Sequence, residues 1–191
     1  KGIEDYLPKS QYERIEHKVM VVKDINDNWM RLSHASKFHA LFATSSIPEA
    51  IEYYRLIKEL YPKLKVTALF DPTIDNNGGV KFKEDALVEI LFDYNERYDQ
   101  DFSFATHGKF KKDISARLAH KKPYERIDKN PDKQIDLLIV VDQMLTGFDS
   151  KWVNTLFLDK ILRFENVIQA ISRTNRLFGP EKPFGTIRYY R

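Results

Sequence analysis

Apolar residues recur along this chain in two rhythms, and the rhythm changes wherever turn-forming residues cluster. In "SQYERIEHKVMVV", residues 10 to 22, they fall at helical intervals, with Ser10 placed to cap a helix. "INDNWMRLSHAS", residues 25 to 36, reads as a loop, part of which could pair as an edge strand. "KFHALFATSS", residues 37 to 46, predicts a buried strand, and "SIPEAIEYYRLIKELYP", residues 46 to 62, a helix. Ser46 suits the cap of that helix, Pro48 its first turn, and Glu49 stands three residues beyond Ser46, the spacing of a capping box. "KVTALFD", residues 65 to 71, is a second strand, followed by a turn-rich loop over 71 to 82. Two helices follow, over 83 to 100 and over the basic stretch 107 to 122, which ends near Pro123.

The last third is denser. "IDLLIVV", residues 135 to 141, is a continuous β-branched run of the kind buried on both faces of a sheet. The turn "DQMLTGFD" at 142 to 149, a strand at 154 to 159, a helix at 164 to 176 and a closing strand at 184 to 190 complete the chain. Strands alternating with helices through short connections predict an α/β fold, a mostly parallel sheet covered by helices. Ligands of such sheets gather off the carboxyl ends of the strands, where Ser45, Ser46, Asp71, the 142–149 turn and Asp159 fall.

Composition narrows this picture more by exclusion than by assertion. Of 191 residues, 42% are apolar and 13% aromatic, enough for a core. The 31 basic residues nearly balance 28 acidic ones, so a net charge of +3 permits nucleic-acid binding without arguing for it. The absence of cysteine excludes disulfides, thiolate metal sites and cysteine nucleophiles. No apolar run is long enough to span a bilayer and no signal peptide is legible, which leaves the cytoplasm as the default compartment and no membrane among the expected partners. The opening at Lys1 and the close at "TIRYYR" read as the ends of a piece of something longer.

Candidate chemistry begins with "IQAISRTNRLFG", residues 168 to 179. At helical spacing Gln169, Arg173 and Arg176 share one face, which then carries a planar amide and two guanidinium forks. Such a face suits bidentate capture of phosphate oxygens; a solvated face with local ion pairs is the alternative. In the 142–149 turn, Gly147 permits close backbone approach, Thr146 offers a hydroxyl and an N–H, and Asp149 can accept from a sugar hydroxyl, though an ordinary turn has the same look. Asp142, Asp149 and Asp159 could converge on metal ions as in a nuclease, whereas Asp136 opens its strand and lies at the opposite end. Lys109, Lys111, Lys112, Arg117, Lys121 and Lys122 form either a phosphate-tracking surface or a solvated helix face. The five histidines are dispersed and receive no role. No phosphate loop of the form G-x-x-x-x-G-K-[ST] is present, and "NNGGVKF" lacks its lysine followed by Ser or Thr.

Taken in order, a buried strand, the T-G-x-D turn, a second strand and a helix reading Q-x-x-x-R-x-x-R resemble motifs V and VI of superfamily 2 helicases and translocases. The wording "LLIVVDQMLTGFDSKWVNTLFLDK" followed by "NVIQAISRTNR" resembles more narrowly the motor (R) subunit of type I restriction enzymes. The specific part covers residues 135 to 187; residues 38 to 60 resemble motif IV more loosely, and 1 to 36 match no motif. The resemblance implies a second RecA-like lobe, three-layered with helices on both sheet faces, over 37 to 191, preceded by a helical or linker segment over 1 to 36. It implies ATP and Mg2+ held mainly by a first lobe of the same chain and none held by this segment alone. By the same resemblance Arg173 and Arg176 approach the γ-phosphate as catalytic groups, with Gln169, Gly147 and Asp149 on the nucleotide side. Ser45, Ser46, Thr146, Lys109, Lys111 and Lys112 are the DNA-facing candidates. Duplex DNA and the specificity and methylation subunits of a type I complex are the implied partners, and ATP-driven DNA translocation leading to cleavage is the implied activity. One departure stands out: many relatives carry threonine before the motif V aspartate, where this chain has Val141 before Asp142. A non-catalytic phosphate- or nucleic-acid-binding module and a metal-dependent nuclease are the remaining alternatives.

Overall fold

The computed structural model describes residues 9–73, 79–141, 150–161, 172, 174, 176 and 178–191. Five strands form one all-parallel sheet: β1 (His39–Thr44), β2 (Val66–Leu69), β3 (Leu137–Val141), β4 (Val153–Asp159) and β5 (Thr186–Tyr189), in the order β2-β3-β1-β4-β5. Strands β1 to β4 are buried along their whole length, so both faces are covered. The edge strand β5 alternates between half-buried and exposed positions. This is the α/β architecture expected from the pattern, and it is consistent with a RecA-like domain.

Helices α1 (Ile15–Leu32), α2 (Ile47–Leu60), α3 (Val80–Tyr98) and α4 (His107–Ala119) accompany the sheet. The first differs from expectation. The stretch read as a loop or edge strand at 25 to 36 is mostly helical, because Val21, Val22, Ile25, Trp29 and Leu32 continue one apolar stripe into the core. Ser10 does not cap it either: Ser10 lies in a single 3-10 turn, Lys9–Gln11, and the helix begins after Arg14 without a side-chain cap. Helix α1 packs on α2 and β4 and shares the core of the sheet.

Helix α2 starts as its sequence predicts. Ser46 Oγ accepts from the backbone N–H of Glu49, and Pro48 occupies the first turn. The returning half of the capping box is shifted by one residue, since the Glu49 carboxylate accepts from the N–H of Ser45 at 2.9 Å. Strand β1 therefore ends at Thr44, two residues short of the apolar run, because Ser45 and Ser46 are spent on the turn into α2. Helix α4 ends at Ala119, where His120 takes a left-handed conformation, so Lys121 and Lys122 lie beyond it. Ser172 and Thr174 are helical.

Candidate functional site

Parallel register puts the carboxyl ends of the strands in one row. Val141 and Asp159 stand on either side of Thr44, Val140 pairs with Leu69, and Tyr190 donates its N–H to Leu158 O. Asp159, 0% exposed, is the hub of this edge. Its carboxylate accepts from Tyr53 Oη at 2.5 Å, Arg191 Nε at 2.9 Å and His17 Nε2 at 3.0 Å. Arg191 also pairs with Glu49 at 2.6 Å, and Glu49 holds the Ser45 amide. Burial alone would push the Asp159 carboxyl up; the bonds from Arg191, Tyr53 and His17 outweigh it and hold the group below its ordinary value. Neighbouring Lys160, also buried, is pushed down by burial first and by Arg191 second.

Ser45 and Ser46 thus sit at the carboxyl edge as expected, but their polar atoms are engaged. A phosphate reaching the Ser45 amide would replace the Glu49 carboxylate there. Two strand positions along the edge, about 10 Å at ordinary strand spacing, β2 leads to Asp71, which accepts from Thr73 N and Oγ1 at 2.9 and 2.6 Å. Those bonds, above all the Thr73 hydroxyl, lower the Asp71 carboxyl, with smaller help from His107 and Lys111 of α4. The start of α4 is therefore close to the same edge. Lys109 and Lys112 are exposed there and Lys111 is half-buried.

Arg117, grouped with them as part of either a phosphate-tracking surface or a solvated helix face, is neither. It is 1% exposed, bonded to Asp113 Oδ2, Lys133 O and Tyr124 Oη at 2.8 to 2.9 Å, and faces the rings of Tyr98 and Tyr124 at 4.3 and 4.2 Å. It is a structural cation of the core, not a surface one. Of the carboxylates weighed for a metal, Asp136 lies at the start of β3, bonded to the Lys65 amide at 3.0 Å, at the far end of the sheet from Asp159. Among the described residues no group of three or more His, Asp or Glu could hold a metal ion. Asp142, Thr146, Gly147, Asp149, Gln169 and Arg173 lie outside the described residues.

Arg176 is exposed, and Thr174, two residues before it, lies against Gly185 at the amino end of β5. Two residues after Arg176, the Phe178 ring packs on Trp152 at 4.5 Å and Phe38 at 5.7 Å, the residues that precede β4 and β1. The sheet therefore carries its candidates at two ends, with Ser45, Ser46 and the α4 lysines at one and Arg176 at the other. The second end holds a buried pair that dispersed histidines did not betray. His39 Nδ1 donates to Ile135 O at 2.5 Å, His120 Nε2 lies 2.8 Å from His39 Nε2, and the His120 ring stacks on Trp152 at 3.8 Å. Burial lowers both, His39 to about 3 with His120 adding to the effect, and His120 to about 4 with Lys151 adding.

The described residues define an all-parallel α/β domain with a carboxyl edge organised around Asp159; comparison supplies the family. Residues 36–191 match the family model "Type I restriction enzyme subunit R domain 3", and the chain belongs to that family. It is 36% identical over 180 residues to the type I restriction enzyme SauCOLORF180P endonuclease subunit of Staphylococcus aureus, covering 90% of this chain and 18% of that protein. Similar figures hold for the SsaAORF53P endonuclease subunit of Staphylococcus saprophyticus, 35% over 188 residues, 94% and 19%. A more distant organism, Methanocaldococcus jannaschii, has the putative MjaIXP endonuclease subunit at 35% over 187 residues, 98% of this chain and 14% of that protein. The chain thus spans less than a fifth of the length of these relatives.

Proposed function

We propose that this chain is the second RecA-like lobe of a type I restriction enzyme R subunit, contributing arginines to an ATP site shared with a first lobe and part of a track for duplex DNA. The observation that carries the proposal is the exposure of Arg176 inside the family-matched region, while its neighbour Thr174 is buried and Phe178 half-buried. An exposed arginine between two packed residues suits a ligand held by another body. The residues present fit one part of a nucleotide site, since the chain has a cation but no phosphate loop. Magnesium belongs, by this proposal, to the first lobe.

Bound ATP would supply a phosphoryl group whose charge spreads over its oxygens during transfer. Arg176, with Arg173 three residues earlier, would neutralise that charge through planar N–H forks. Gln169, Gly147 and Asp149 would line the nucleotide side. Ser45, Ser46, Lys109, Lys111 and Lys112 would meet DNA phosphates at the carboxyl edge, Thr146 is a further candidate for DNA contact, and specificity is left to partner subunits of the complex. Opening and closing of two lobes would then turn hydrolysis into movement along the duplex, leading to cleavage.

The test is alanine at Arg176 and at Arg173 in the complete subunit, assayed for DNA-stimulated ATP hydrolysis. An arginine aimed at the transferring group contributes on the order of 10³ to 10⁵ in rate, whereas a solvated surface arginine contributes almost nothing. Lysine should rescue poorly, because a point charge lacks the fork. Folded alanine variants with wild-type hydrolysis would remove the arginines from the mechanism.

A further inference from the structure

Arg176 lies between two anchored residues. On one side is Thr174, 2% exposed, and on the other is Phe178. Gly185, just before β5, is in direct backbone contact with Thr174: a Cβ on Gly185 would fall 2.3 Å from Thr174 O, 2.6 Å from its carbonyl carbon and 2.5 Å from its Cβ. Gly185 has no left-handed φ that would itself demand glycine. What it provides is the room for two backbones to touch. Because Thr186 pairs with Thr155, the contact refers Thr174 directly to the sheet.

The second anchor is built differently. The Phe178 ring sits on Trp152 and Phe38, and Lys151 Nζ lies 4.7 Å above it. The Phe178 N–H donates to Lys182 O at 3.0 Å, across a turn in which Gly179 has φ +62°. Lys182, 1% exposed, is fastened in turn to the start of β4, donating from Nζ to Lys151 O at 3.1 Å and Val153 O at 2.7 Å. Both anchors refer back to β4, one through β5 and one directly.

We infer that Gly185 and Phe178 are positioning residues: they hold Thr174 and Phe178, two residues before and two after Arg176, against the sheet and so set where Arg176 is presented. The inference rests on the proposed role of Arg176 at a shared nucleotide. Adding one methyl at Gly185 pushes against backbone, which cannot rotate away as a side-chain end can, so Thr174 and the arginine beyond it must move. A displacement of about 1 Å in a group aligned with a reacting centre costs up to about 10²-fold in rate.

The experiment is a double-mutant cycle in the complete subunit, with Gly185→Ala and Phe178→Ala each placed in wild-type and Arg176→Ala backgrounds. Circular dichroism checks the fold, and steady-state kinetics separates kcat from KM for ATP. The expected result is a loss of roughly 10- to 100-fold in DNA-stimulated kcat for each anchor variant, with KM for ATP unchanged within about twofold. In the Arg176→Ala background Phe178→Ala should not lower turnover further, since the group it positions is gone, whereas Gly185→Ala, which displaces Thr174 beside Arg173, should lower it by less than in the wild-type background. Wild-type kcat in both anchor variants, or an equal further loss in the Arg176→Ala background, overturns the inference. So does failure of both variants to fold, which would make the anchors structural. If Arg176→Ala itself keeps wild-type turnover, the proposed function of the arginine fails, a result distinct from intact activity in the anchor variants alone.

Discussion

His39 and His120 are paired by a hydrogen-bond chain that works only while the His39 ring is neutral. With His39 Nδ1–H spent on Ile135 O, His39 Nε2 must accept, and His120 Nε2–H must donate. His120 Nδ1 is then left buried without a partner. A proton added to His39 would set two N–H groups against each other beside Trp152. Both folded values lie below the ordinary 6.5, at about 3 and about 4. Above pH 6.5 neither state binds the extra proton and the full stability is present. As pH falls below 6.5 the unfolded chain binds protons that the folded chain refuses, so stability is lost through the window down to about 4 and then about 3. Denaturant midpoints should therefore drop between pH 7 and pH 5, before ordinary carboxylates titrate, and His120→Asn should weaken that dependence. Equal midpoints at the two pH values would show that the pair is not held neutral by the fold. Asp159 acts on the same acid side: its lowered value means that its contribution is present above 3.8 and is lost as pH falls below that.

Elements are legible in this sequence where one rhythm runs unbroken. The apolar run of β3 and the Ser46-Pro48-Glu49 start of α2 predict what is found, because each is decided by neighbours within a few residues. Helix α1 is hidden over 25 to 36 because Asn26, Asp27 and Asn28 look like turn residues, while the stripe that includes Ile25, Trp29 and Leu32 decides the matter through burial against the sheet. The Asp159 hub leaves no local trace: His17 is 142 residues away from it and Arg191 is 32 residues away. Gly185 is the same case, since its need for glycine comes from Thr174 and not from its own φ. Arg117 shows the reverse error, where a basic stretch hides a residue that faces inward. If α1 is an integral part of the core, Trp29→Ala should cost roughly 3–5 kcal/mol, read as a cooperative loss in one unfolding transition. A helix merely resting on the domain would instead melt separately and leave the main transition unmoved.

At the scale of the whole molecule, the sheet separates two kinds of candidate. Phe178, two residues beyond Arg176, packs on the residues just before β1 and β4, and the serines and lysines proposed to meet DNA are at the carboxyl ends, a strand length of about 20 Å away for seven residues. No single small ligand bridges that distance, so the two sets must serve different ligands, and the α4 lysines can be tested apart from the arginines. Their side chains offer charge without any base-reading geometry, which predicts weak binding that is indifferent to sequence and steep in salt. In titrations of two unrelated duplexes at several salt concentrations, the chain should bind both alike. Replacing Lys109, Lys111 and Lys112 together by alanine should flatten the log–log salt slope by about 0.9 for each phosphate that is no longer neutralised, most of it from the exposed Lys109 and Lys112. Half-buried Lys111, already facing Asp71, should contribute least when replaced singly. Arg176→Ala should leave the slope unchanged, because the proposed function turns its end of the sheet toward the nucleotide. A slope that falls equally with Arg176→Ala would put both ends on one DNA track and refute the division. An unchanged slope in the triple variant would return the lysines to the role of a solvated helix face.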